Sequence, residues 1–167
     1  LYSNAYKVTG NELYKKVVFE TLEFIEREMT GKSGGFYSSL DADSEGEEGK
    51  YYVWTKEEIN NLIGEKSELF CDYYSVSSIG NWEEKNILFI TKKKEDLLKK
   101  FQMDEELFEQ LINESKKILF EQRNKRVRPG LDDKILTSWN SLMLKGYVDA
   151  YSAFGEKKFL SAALKNA

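Results

Sequence analysis

Apolar residues recur at steps of three to five through most of this chain, and those steps predict helices. Leu13, Val17, Leu22, Ile25 and Met29 make one stripe, over a helix expected from about Asn11 to Met29. Leu107, Phe108, Leu111, Ile112, Ile118 and Leu119 make the clearest one, over 104–123, with Asp104 where an N-cap belongs. Trp139, Met143, Gly146, Tyr147, Ala150 and Phe154 line a third, from near Ile135 to Phe154. On that stripe Trp139 reads first as a core residue. Shorter helices are predicted at 56–63, closed by Gly64, at 65–74 and at 95–101. Residues 1–9 read as the tail of a helix with Gly10 as its C-cap, and Lys157–Ala167 starts another.

The period changes between Gly34 and Trp54. Two aromatic runs suited to strands, Phe36–Leu40 and Tyr51–Trp54, flank a loop carrying Asp41, Asp43, Glu45, Glu47 and Glu48 with two glycines. The pattern predicts that these runs pair as a β-hairpin. Thr55-Lys56-Glu57-Glu58 then reads as a capping box. Ile87–Ile90 is a short apolar run, expected to be a strand that joins the hairpin in a small sheet. One echo is visible: Ala5-Tyr6-Lys7-Val8-Thr9-Gly10 and Ala150-Tyr151-Ser152-Ala153-Phe154-Gly155 both end a helix in a glycine before a new one begins. Such a repeat suits stacked helical hairpins.

Composition narrows the chemistry. The 167 residues are 41% hydrophobic and 32% charged, with net charge −4, which gives no broad basic surface for nucleic acid. No apolar run approaches a membrane span and no signal peptide is visible, so a cytoplasmic location without membrane contact is expected. Histidine is absent, which excludes Ser-His-Asp and Cys-His catalysis and His-bound zinc within these residues. Proton transfer would fall to Asp, Glu, Lys or Tyr. Cys71 stands alone, so there is no internal disulfide or Cys-x-x-Cys pair, and it reads as a buried small apolar group.

Asp41, Asp43, Glu45 and Gly46 partly match a calcium loop, but Tyr52 occupies the position of the bidentate glutamate, so only weak calcium binding is expected. Arg126, Arg128, Asp132, Asp133 and Lys134 crowd the start of the 135–154 helix. Asp132 or Asp133 either accepts amides at that helix start, with Arg128 bracing the loop, or an aspartate faces a cleft in which Arg128 holds a ligand. Trp54, Trp82 and Trp139 either stack on sugar rings or pack in the core. Asn86 and Asn140 either bond hydroxyls or hold loops.

Three segments carry a resemblance: Gly34–Trp54, Gly80–Leu88 and Arg126–Asn140. In order and spacing they resemble the signature of the spermatogenesis-associated thioredoxin-domain family, with its YyaL-type bacterial members, over nearly the whole chain. Ser141 departs from it, where the family pattern has Gly after Trp-Asn. The resemblance implies a thioredoxin-like domain upstream, outside these residues. It also implies an α/α toroid similar to N-acylglucosamine 2-epimerases and six-hairpin glycosidases. The expected fold is therefore mainly α. Residues 1–167 would form a partial α/α-toroid domain, an excerpt of a longer chain, with a small antiparallel β insertion at about 35–54.

The expected function is that of a carbohydrate-active-like domain using carboxylate chemistry in a loop-lined cavity, with a sugar or other small molecule as ligand. Asp43, Asp132 and Asp133 are the catalytic candidates. Asp41, Trp54, Trp82, Asn86, Arg128 and Asn140 are the ligand-binding candidates, and no metal or cofactor is implied. A non-catalytic interaction domain accompanying the thioredoxin-like domain is the alternative.

Overall fold

In the computed structural model all 167 residues are described. The chain is mainly helical, with two small two-stranded antiparallel sheets. It divides into two compact units, one of residues 1–41 with 131–167 and one of residues 42–130. No helix is long and apolar enough to cross a membrane.

The first unit holds α1 (Tyr2–Thr9), α2 (Glu12–Glu28), α7 (Thr137–Phe154) and α8 (Lys157–Asn166). The echo in the sequence is an echo in structure. Gly10 (φ 64°) and Gly155 (φ 71°) both close their helices in the left-handed region, and a new helix starts two residues later. A left-handed residue costs glycine little, so the chain reverses within one turn and the next helix packs back on the last. α1 packs on α2, α7 on α8, and α1 on α7. Val18, Leu22, Phe36, Tyr147, Ala150, Phe159 and Ala163 form the core, with Phe36 stacked on Tyr147 at 5.4 Å.

Asn140 is the polar centre of that core. Its Oδ1 accepts from the Phe36 amide at 2.7 Å, and its Nδ2 donates to the Phe36 carbonyl at 2.9 Å. The side-chain amide thus pairs with Phe36 as a neighbouring strand would. Beside it, β1 (Ser39–Leu40) pairs antiparallel with β4 (Leu131–Asp132), placing Ser39 opposite Asp132. Phe36–Leu40 therefore finds its partner ninety residues downstream and does not pair with Tyr51–Trp54, as the aromatic pattern predicted. Both runs are apolar enough for a strand; only long-range packing chooses the partner.

The second unit holds β2 (Asp43–Ser44), β3 (Glu47–Glu48), α3 (Lys56–Ile63), α4 (Ser67–Tyr73), α5 (Lys94–Phe101) and α6 (Glu105–Arg123). β2 and β3 form a tight hairpin through Glu45 and Gly46, both at positive φ, a turn whose twist suits paired strands. The predicted capping box is formed: the Glu58 amide donates to Thr55 Oγ1, and Glu58 Oε2 accepts from the Thr55 amide. Asp104 caps α6 by accepting from the Leu107 amide at 2.8 Å. Trp54, Ile59, Phe70, Leu97, Phe108, Ile112 and Leu119 lead the core. Each such side chain contributes about 1.5–3 kcal/mol on burial. Cys71 is buried among them, and burial pushes its thiol pKa up.

Two further expectations change. Residues 87–90 form no strand; Ile87, Phe89 and Ile90 are exposed, and the pairing falls one residue earlier, between Trp54 and Asn86. Trp139 is 54% exposed. α7 is apolar on more than one side, and the buried stripe runs through Asn140, Tyr147 and Ala150, with Met143, Tyr151 and Phe154 packed against it. Trp139 falls one position off that stripe.

Replacing Asn140 by alanine strands a buried amide and carbonyl of Phe36, so a loss of about 2–4 kcal/mol is expected in urea unfolding. Burial, with Glu26 nearby, pushes the Tyr147 hydroxyl up to about 12. Its unfolded pKa is near 10, so the neutral form is favoured in the fold and that stability is lost as pH rises from about 10 through 12. Stability measured across this window is expected to fall less steeply in Tyr147→Phe than in the parent.

Candidate functional site

The acidic hairpin and the basic loop singled out in the sequence meet within the second unit. Arg126, just beyond the end of α6, is the joint. Its Nη1 donates to the carbonyls of Lys50 (3.3 Å), Tyr51 (3.0 Å) and Val53 (2.7 Å). Its Nη2 donates to Glu58 Oε1 at 3.3 Å, and the guanidinium lies 4.0 Å from the centre of the Trp54 ring. Burial pulls the Arg126 pKa down and Glu58 opposes that. Ser44 Oγ adds a 2.6 Å bond to the Val127 carbonyl, and the Tyr51 hydroxyl donates to Asn124 Oδ1 at 3.2 Å.

These contacts border a cavity of about 360 Å³. Glu45, Lys50, Glu58, Lys85, Lys125 and Arg126 line it, with Tyr51 among its apolar walls. Four cations thus stand against two carboxylates. Lys50 pairs with Glu45 at 3.1 Å, and Lys85 pairs with Glu47 outside the lining. Lys85, with Lys50 beyond it, holds the Glu47 carboxyl below its ordinary value. Lys125 donates only to Gln122 among the bonds around it. With Lys50, Lys85 and Arg126 each paired to a carboxylate, Lys125, bonded to the neutral Gln122, is the lining cation that gives an anion a favourable place to sit. No group of three or more Cys, Asp or Glu is placed to hold a metal ion.

The sequence-predicted residues fall in both units. Asp43, Trp54, Trp82, Asn86 and Arg128 belong to the second; Asp41, Asp132, Asp133 and Asn140 belong to the first. Asp43 is exposed on β2 opposite Glu48, one residue before the cavity-lining Ser44. Arg128 is exposed and lies 5.8 Å from the centre of the Tyr51 ring. Trp54 is buried in the core. Trp82 is half-buried against Gly49, where an added Cβ would meet its ring at 2.8 Å. Asn86 is fully buried: Oδ1 accepts from the Ser77 amide, and Nδ2 donates to the carbonyls of Trp54 and Ser77. Asn86 and Asn140 therefore hold loops, the second of the two roles expected for them.

Asp41 and Asp133 are exposed. Asp132 accepts from the Lys134 amide at 3.3 Å and from Lys134 Nζ at 2.9 Å. Lys134, then Ser38, holds the Asp132 carboxyl below its ordinary value. Leu136 is the N-cap of α7 and no side chain caps the helix, so neither aspartate does. Sequence reasoning passed over Glu58, Lys85 and Lys125 as cavity residues. The capping box marked Glu58, but only for its local role; nothing in residue spacing marks the other two.

Comparison with known proteins follows the same outline. The chain is 31% identical over 192 aligned positions to human spermatogenesis-associated protein 20, and 30% identical over 193 to the mouse protein. It is also 32% identical over 190 positions to the uncharacterized protein B0495.5 of Caenorhabditis elegans. Over nearly its whole length the chain is thus similar to proteins named spermatogenesis-associated protein 20. The alignments cover 98–100% of this chain but only 24–26% of each relative, so the chain spans about a quarter of the length of the curated relatives it matches. No family model matches it.

Arg126→Ala leaves three carbonyls of the 50–53 turn without their donor, and a loss of about 2–4 kcal/mol is expected. Arg126→Lys keeps the charge but not the planar fork, and is expected to recover less than half of it. Amide exchange at Tyr51–Trp54, read by mass spectrometry, checks both variants.

Proposed function

We propose that this chain is the ligand-holding part of a carbohydrate-active-like domain, and that its ligand is a small hydroxylated anion such as a sugar phosphate or a sugar acid. The observation that carries the reading is the cavity of the second unit, where Lys125, bonded to the neutral Gln122, lines the wall beside the ion-paired Lys50, Lys85 and Arg126. Its volume of about 360 Å³ suits one sugar-sized molecule. The lysines provide point charges for phosphate or carboxylate, and the lining carboxylates accept from hydroxyls. With no histidine in the chain, an acid–base step falls to Asp, Glu, Lys or Tyr, and the reading takes carboxylates for it. Asp43, beside the cavity in sequence, and Asp132 and Asp133 in the first unit remain the assigned candidates.

Calorimetric titration with glucose 6-phosphate, gluconate and glucose tests this reading. The anions are expected to bind about tenfold or more tightly than glucose, and Lys125→Ala to weaken them severalfold without touching the Arg126 joint. Affinity is expected to fall with added salt. Equal binding of all three sugars, or none, overturns the reading. Asp43→Asn and Asp133→Asn, assayed separately for turnover in the longer protein, test the catalytic assignment; unchanged turnover in both removes it.

The non-catalytic alternative rests on a different observation. α7 and α8 expose Trp139, Leu142 (70%) and Leu164 (69%) in the first unit. In the docking reading, further helices of a longer protein cover these positions, as expected for one section of stacked hairpins. A longer protein in which Leu142→Glu neither lowers stability nor alters assembly counts against it.

A further inference from the structure

A second cavity in the 42–130 unit has different chemistry. It measures about 240 Å³ and shares no lining residue with the cavity at the hairpin. Trp54, Phe70, Tyr74, Leu88 and Phe120 form its walls, and Lys116 and Arg123 are the cations on its lining. It contains no carboxylate.

Arg123 is the unusual member. Its guanidinium lies 5.3 Å, 5.5 Å and 5.2 Å from the ring centres of Tyr51, Tyr52 and Phe120. Three aromatic faces hold the cation by cation–π attraction, which positions it without satisfying its N–H groups. Its Nε is buried with no hydrogen-bond partner. The rings balance the charge without a counter-ion, so an anion that meets the guanidinium from the cavity gains a favourable partner. Arg126, which lies one turn on, cannot accept, and its own donors are committed to carbonyls and Glu58.

We infer that this cavity is a binding site for a small amphipathic carboxylate, with an aromatic or short aliphatic body against Trp54, Phe70 and Leu88 and its carboxylate accepting from Arg123. The walls select an apolar body, since a sugar would leave its hydroxyls unpaired against them. The volume admits a single ring with a short chain rather than a long acyl group. Arg123, on a lining without a carboxylate, selects an anion over a neutral apolar molecule. This site is independent of the sugar-anion reading, and either stands without the other.

The probe is 3-phenylpropionate, with 3-phenylpropanol as its neutral counterpart, titrated into the full chain and followed by amide and indole NMR shifts. Saturable shifts are expected at Leu88, Phe120 and Arg123, with the alcohol about tenfold or more weaker than the acid. Arg123→Gln is expected to weaken the acid to the level of the alcohol. Because that change also removes the contacts to Tyr51 and Tyr52, a second variant, Leu88→Trp, fills the cavity while keeping Arg123 itself in the chain. It is expected to abolish binding of both probes while the rest of the spectrum stays in place. Equal affinity for acid and alcohol, full affinity in Leu88→Trp, shifts centred elsewhere, or no saturable binding overturns the inference.

Discussion

The structure depends on keeping buried backbone groups hydrogen-bonded where there is almost no sheet to do it. Its strands are two residues long, yet the connections at 30–55, 75–93 and 124–136 pass over buried cores. An unpaired buried amide or carbonyl costs about 1–3 kcal/mol, so connections of this length need partners from elsewhere. Three side chains supply them. Asn140 pairs with both backbone groups of Phe36, Asn86 with Trp54 and Ser77, and Arg126 with the carbonyls of Lys50, Tyr51 and Val53. Each offers a donor array that an apolar side chain lacks. They act as short substitute strands.

That constraint decides which polar residues remain for chemistry. Asn86, Asn140 and Arg126 are distinctive in sequence because the fold needs them, and their polar atoms are already engaged. Distinctiveness alone is thus a poor guide to a ligand site in this chain. Lys50, Lys85 and Lys125 look ordinary as surface lysines, but the Arg126 joint brings them round one cavity. The joint is structural and the charge pattern beside it is its by-product, available to a ligand without being needed for folding.

Much of the helical framework was legible. The apolar stripes gave α2, α6 and α7, and the capping box and Asp104 gave the starts of α3 and α6, because these signals lie within one or two helical turns. The repeated helix–glycine–helix unit was legible for the same reason. What periodicity could not give was pairing at a distance. Phe36–Leu40 and Tyr51–Trp54 are both strand-like, and the sequence offers each the other as nearest partner; the actual partners are Leu131–Asp132 for the first and Asn86 for Trp54. Trp139 shows a related failure. On a helix apolar on more than one side, a stripe can be drawn one residue off, and the clamp at Asn140 marks the inward face.

Arg123 and Arg126 show why residue type underdetermines role even one helical turn apart. Both are arginines near the C-terminal end of α6, where a cation is favoured by the helix dipole. One has its donors committed to carbonyls and a carboxylate, and its guanidinium is a fastener. The other is held by three rings that attract its charge but accept none of its protons in an ordinary hydrogen bond. The difference arises because the 50–53 turn presents carbonyls to position 126, while Tyr51 and Tyr52 turn their rings toward position 123. A single two-residue aromatic step thus commits one cation to the fold and leaves its neighbour's Nε unsatisfied.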